Sequence, residues 1–162
     1  VIRKIIQLRN TPLIGKVTTN EIEVSSSDTK IMASLLLTKF PDYQKLPKSF
    51  STEVRVDSKE LLGAAKACAS FSDSNEFAIR LEMSSDGMKC YSGERVHGQS
   101  ITQVNASTRG NDCRVALNVR YLIDVLSVLN GEIFIGLNSP TDALVIRQNE
   151  YSHFIMPMSV QW

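Results

Sequence analysis

The chain repeats itself at a spacing of 61 residues, and this constrains what it can fold into more than any single motif does. Glu53-Val54-Arg55-Val56-Asp57 alternates apolar and polar residues as a strand does. Ser58 to Phe71 then follows with helical spacing, which puts Leu61, Leu62, Ala65, Cys68 and Ala69 on one side. Arg114-Val115-Ala116-Leu117-Asn118 and the stretch Val119 to Asn130 present the same pair again, now with Leu122, Val125, Leu126 and Leu129 on the apolar face. Val54 aligns with Val115 and Asp57 with Asn118. Each strand ends on a short polar side chain suited to capping the helix that follows, and Glu60 stands at capping-box distance from Asp57.

Three strand-like runs follow each helix. After the first come Phe77 to Met83, Met88 to Ser92 and Gln99 to Asn105; after the second come Glu132 to Leu137, Ala143 to Gln148 and Ser152 to Met158. The opening residues Val1 to Asn10 place Ile2, Ile5 and Ile6 on one helical face, and the runs Leu13 to Val17, Glu21 to Ser25 and Lys30 to Leu37 come next. This reads as a unit without its first strand, so residues upstream of Val1 are expected. Two prolines break the periodicity between Lys39 and Pro47. A boundary is expected there, with the full second and third units forming one domain over roughly residues 49–162. A single unit cannot cover both faces of its strands. The predicted fold is therefore α+β, with duplicated strand-helix-three-strand units, helices on one face and antiparallel sheets on the other.

A net charge of +1 gives no bulk signature of a strongly basic nucleic-acid coat. Three cysteines, Cys68, Cys90 and Cys113, lack metal-type spacing and suit reduced thiols, and no apolar run approaches the ~18 residues of a membrane span. The expected setting is soluble and cytoplasmic. The two histidines, His97 and His153, come without a catalytic motif, and the chain contains no Gly-rich phosphate loop of the G-x-x-x-x-G-K type, no CxxC and no HExxH. No catalytic residue, metal or cofactor is expected. Two other readings are a small cysteine- or histidine-dependent hydrolase on an α+β scaffold and a protein-interaction domain that does not meet DNA. The repeat weighs against an enzyme, because matched units serve an assembly and not a catalytic core.

Two surfaces stand out. Lys59, Gly63, Lys66 and Ser70 form a stripe opposite the apolar face of their helix, Arg120, Asp124 and Ser127 a second, and Arg3, Lys4, Gln7 and Asn10 a third. These are either solvated faces or a shallow basic surface that touches phosphates without reading bases. Phe154-Ile155-Met156-Pro157-Met158 is an apolar strand containing proline, either a core strand or an exposed edge where methionines adapt to different peptides.

Three motifs, Lys39-Phe40-Pro41-Asp42-Tyr43, Leu117 to Leu126 and Phe154 to Met158, stand in order and at a spacing that resembles the bacterial sliding clamp, the beta subunit of DNA polymerase III. The resemblance covers the whole chain and implies a head-to-tail homodimeric ring with helices around duplex DNA. By this resemblance the chain would supply the latter half of the middle domain, residues 1–43, and the whole last domain, residues 44–162. It implies a non-catalytic processivity factor that takes apolar peptide tails from polymerases and the clamp loader in a groove. Carried over by position, that groove comprises Pro41, Lys45, Leu46, Phe77, Asn118, Tyr121, Thr141, Ala143, Phe154, Ile155, Met156, Pro157 and Met158. Phe71 falls at the contact between subunits; the alternative is that it caps its own helix and core. Arg3, Lys4, Lys59, Lys66 and Arg120 are the DNA-facing candidates, taken from helical faces and not from a family motif. The tail runs past Met158 through Ser159-Val160-Gln161-Trp162, where the family usually ends two residues after the methionine.

Overall fold

The computed structural model describes residues 12–38, 42, 47–72, 77–92 and 98–160. The chain divides into two compact units, Val1–Lys45 and Leu46–Trp162. In the first, β1 (Ile14–Val17), β2 (Glu21–Ser25) and β3 (Lys30–Ser34) form an antiparallel meander. The polar clusters that predicted its turns close them. Thr18 N–H donates to the Glu21 carbonyl at 2.8 Å, and Ser26 N–H to that of Thr29 at 2.8 Å. The third strand stops at Ser34, short of the predicted Leu37, and Leu36 and Leu37 are exposed. The opening helix expected over Val1 to Asn10 lies outside the described residues.

The second unit carries the repeat. The strand β4 (Thr52–Asp57) runs into α1 (Ser58–Ser70), followed by β5 (Ala78–Ser84), β6 (Gly87–Tyr91), β7 (Ile101–Val104) and β8 (Ala106–Gly110). Then β9 (Cys113–Asn118) runs into α2 (Val119–Leu126), followed by β10 (Glu132–Leu137), β11 (Leu144–Gln148) and β12 (Tyr151–Ile155). The copies exchange their first strands. One sheet has the order β12-β11-β10-β4-β8 and the other β7-β6-β5-β9, so β4 sits in the second copy's sheet and β9 in the first copy's. Two helices pack against each other and share one core with both sheets. Val54 and Val115, Val56 and Leu117, and Leu61 and Leu122 occupy equivalent buried positions within it.

Three local outcomes differ from the sequence reading. Asp57 caps α1 as expected, accepting from Lys59 N–H at 2.9 Å and Glu60 N–H at 3.1 Å. Glu60 does not complete a capping box. Asp57 is itself the last residue of β4, paired with Glu132, and the Glu60 carboxylate instead accepts from Asn105 N–H at 2.8 Å. That bond sits at the corner where the chain leaves one sheet as β7 and enters the other as β8, a strand the sequence reading did not anticipate. Helix α2 ends at Leu126, short of the predicted Asn130, because the following N–H groups of Val128 and Leu129 bond three residues back and tighten the last turn.

The start of the second unit is strapped across the five-stranded sheet. The Arg147 guanidinium donates to the Pro47 carbonyl at 3.5 Å, and Ser51 N–H to Asn138 Oδ1 at 2.8 Å. Phe50 lies over Gly136, where a β-carbon would stand 2.4 Å from its ring, so only glycine lets the strap lie flat.

Candidate functional site

The junction between β9 and α2 gathers most of the groove candidates. Asn118 ends β9 opposite Ala78, accepts from Arg120 N–H at 3.0 Å and so opens α2 with its side chain. The Phe77 carbonyl accepts from Val119 N–H at 2.7 Å, which fixes Phe77 against the first turn of that helix. The Arg120 guanidinium carbon then stands 3.4 Å from the centroid of the Phe77 ring. One residue on, Tyr121 is 61% exposed. An aromatic face, an amide and a cation thus meet at the first turn of α2, where the Tyr121 side chain is also exposed.

The tail arrives from the other sheet. The sequence reading carries β12 through Met158, but the strand ends at Ile155, since Pro157 has no N–H to donate to a ladder. The chain leaves β11, and Met158 N–H donates to the Ala116 carbonyl at 2.8 Å, along the open edge of β9. Ala116 alternates with the core residues Val115 and Leu117, so it points away from the core, yet it is only 1% exposed. No reading of the motifs singled it out. An alanine at an outward strand position, where a polar residue is usual, was the available signal.

Met156 is 66% exposed, and Pro157 and Met158 are half-buried. Thr141 is exposed in the β10–β11 turn, its hydroxyl 3.1 Å from that of Ser139. Three of the candidates are less open. Ile155 belongs to the core, Ala143 is buried beside Leu144, and Phe154 is half-buried opposite Val145. These three support the surface from beneath or beside it. Pro41, Lys45 and Leu46 lie outside the described residues, as do Arg3 and Lys4. Lys59 and Lys66 are exposed on α1, and Phe71, 44% exposed, follows its last turn. Arg120, exposed on α2, stacks on Phe77.

Phe77 holds a backbone φ of 46°, in the left-handed region that costs a side-chain-bearing residue roughly 1–2 kcal/mol. Such strain persists where surrounding structure dictates it, and here the dictating contact is the bond to Val119. A cleft of about 500 Å³ opens between the ends of the two sheets near Cys113 and Arg114, but none of the candidate residues lines it.

Among the described residues, Cys68, Cys90 and His153 are held in their neutral forms by burial. Burial pushes the Cys68 thiol up, and burial together with the nearby Cys68 pushes Cys90 up to about 12, so neither offers a thiolate near neutral pH. Burial lowers the His153 pKa, and its ring stacks on Tyr151 at 6.3 Å. His97 lies outside the described residues. Among the described residues no cluster of three or more metal-binding side chains occurs, and no helix is long and apolar enough to cross a membrane.

Known proteins resemble this chain in sequence and in fold. The chain is 25% identical over 160 residues to the beta sliding clamp of Haemophilus influenzae, covering 96% of this chain and 44% of that protein. To that of Synechococcus elongatus it is 31% identical over 130 residues, covering 76% and 35%. It spans less than half the length of these relatives. Among solved structures, the DNA polymerase III subunit beta of Pseudomonas aeruginosa superposes with a TM-score of 0.77 at 21% identity, over 97% of this chain and 44% of that one. A sliding clamp of Bartonella birtlesii bound to griselimycin gives 0.75 at 20%, over 91% and 41%. At these identities the structures show the fold alone. The family model described as the DNA polymerase III beta subunit, C-terminal domain, matches residues 44–159, well over half of the chain. This chain therefore belongs to the DNA polymerase III beta subunit family, and residues 44–159 match that family's C-terminal domain.

Proposed function

We propose that this chain is the trailing part of a sliding clamp, a non-catalytic processivity factor of the bacterial replicative DNA polymerase. In the full protein two subunits close head to tail around duplex DNA in the cytoplasm, with residues 1–43 as the end of the middle domain and 44–162 as the last domain. Polymerases and the clamp loader are tethered by short apolar peptides seated where Phe77, Asn118 and Tyr121 meet Met156, Pro157 and Met158. The observation that carries this reading is the bond from Met158 N–H to the Ala116 carbonyl, which brings the apolar tail alongside the β9–α2 junction. Aromatic and methionine side chains bury an apolar anchor there, and Asn118 and the Tyr121 hydroxyl orient peptide polar groups. A clamp held by topology needs only mild attraction to phosphates, which suits the net charge of +1, with Arg3, Lys4, Lys59, Lys66 and Arg120 as lining candidates and Phe71 as the subunit contact.

A fluorescent peptide ending in Leu-Phe tests the site. Fluorescence anisotropy is expected to show binding to the 162-residue chain, weakened at least about fivefold, or about 1 kcal/mol, when Met156→Ala and Met158→Ala are combined. Equal affinity in the double variant would remove the peptide site from this surface.

A further inference from the structure

The outward face of β9 carries one residue that departs from its neighbours. Arg114, Ala116 and Asn118 point away from the core, alternating with the core residues Val115 and Leu117. Arg114 is exposed and Asn118 half-buried, whereas Ala116 between them is 1% exposed. A methyl group cannot hide itself, so its cover comes from the segments on either side. Its partner across the ladder is Arg80 of β5, which is half-buried. On the other side β9 is the edge of its sheet, and there the Ala116 carbonyl accepts from Met158 N–H at 2.8 Å.

That bond is one of two moorings of the tail. Ile155 ends β12, pairs with Leu144 and is 2% exposed, so this end is fixed in the core. Met156 and Pro157 span the gap to Met158; the first is 66% exposed, and the second has no N–H to bind a ladder. A short bridge held at both ends keeps its side chains in place. Released at Met158, it is held at one end only.

We propose that Ala116 is a positioning residue of the peptide site, whose carbonyl moors the tail at Met158 and whose small side chain leaves the room the tail needs. The inference rests on the peptide-site reading above, and Ala116 acts through the tail. Strand formation does not account for an alanine here, because β-branched residues fit a pleated surface better. Room does account for it. A larger outward side chain crowds Arg80 and the tail together; β5 is paired along both edges while the tail forms no ladder, so the tail yields.

Anisotropy with the Leu-Phe peptide and amide hydrogen exchange at Met158 test this on the 162-residue chain. Ala116→Ile keeps a good strand former in β9, and is expected to weaken the peptide at least about fivefold and to speed exchange at Met158 at least about tenfold, with the β5 amides unchanged. Ala116→Gly, which also leaves room for the tail, is expected to bind the peptide within about twofold of the wild type. Wild-type affinity and wild-type protection of Met158 in Ala116→Ile overturn the inference. So does faster exchange at Met158 with unchanged affinity, since the peptide then does not need the mooring. If the β5 amides also loosen in Ala116→Ile, Met158→Pro and Met158→Ala decide the matter: both lose the methionine side chain but only the first loses the N–H, so weaker binding by Met158→Pro supports the mooring and equal binding overturns it. If the wild type does not bind the peptide, the peptide-site reading falls and this inference with it.

Discussion

At the two strand-to-helix junctions the backbone does the same thing with different residues. Ser58 N–H donates to the Gly131 carbonyl at 2.9 Å, and 61 residues on Val119 N–H donates to the Phe77 carbonyl at 2.7 Å. Each acceptor directly precedes the first strand of a three-strand run, and each has a positive φ, 81° at Gly131 and 46° at Phe77. The first junction meets that requirement with glycine, at no steric cost. The second meets it with an aromatic residue, whose ring then receives Arg120. The first junction therefore carries no backbone strain. The other tolerates strain at the place where the exposed Tyr121 and the apolar tail also converge, which is where strained residues tend to be functional.

The comparison can be broken most sharply in the core. Leu61 and Leu122 are equivalent and fully buried, so Leu61→Ala and Leu122→Ala are each expected to cost about 2–5 kcal/mol in urea denaturation, and to agree within about 1 kcal/mol. A gap above about 2 kcal/mol would mean that the copies are alike in geometry but not in energy. The junctions come next. Gly131→Ala meets open space and should lose about 1–2 kcal/mol through its backbone alone. Phe77→Asn relieves the left-handed strain but removes a ring that packs against the core, so a loss of about 1–3 kcal/mol is expected, together with loss of peptide binding. Unchanged peptide binding in Phe77→Asn would reduce that ring to a packing element.

The smallest effect concerns β12, which carries His153, whereas β7 in the first copy holds no ionisable group. Burial lowers the folded pKa of His153 below 6.5. In the window just below 6.5 the unfolded chain therefore binds more protons than the folded one. The contribution to stability is complete above that pH and declines as pH falls through the folded value. Thermal midpoints between about pH 5 and 7 should fall less steeply in His153→Gln than in the wild type. Parallel curves would rule out this linkage.

Much of the architecture was legible because local rules act over a few residues. Alternation at Glu53–Asp57 and the helical spacing of Leu61, Ala65 and Cys68 located β4 and α1 almost to the residue. Asp57 and Asn118 cap as their chemistry requires. The candidate peptide site was legible in part from the apolar, proline-bearing run Phe154 to Met158 and otherwise only through resemblance. Nothing near Arg120 in the sequence announces Phe77, which reaches it through the pairing of β5 with β9. Ile155 reads as part of a peptide floor until its pairing with Leu144 on the neighbouring strand places it in the core.

By itself the sequence determined that two copies of a strand-helix-three-strand unit exist, where each helix begins, and which side of each strand is apolar. Those properties depend on side-chain period and capping, which are local. Only the tertiary structure decided that the copies trade first strands, that the chain bends at Asn105 from one sheet into the other, and that the tail crosses to the open edge of β9. The physical reason is that alternation tells a strand which face to bury but not which neighbour to pair with. That choice is made by backbone hydrogen bonds between distant segments, once the shared core has brought them together.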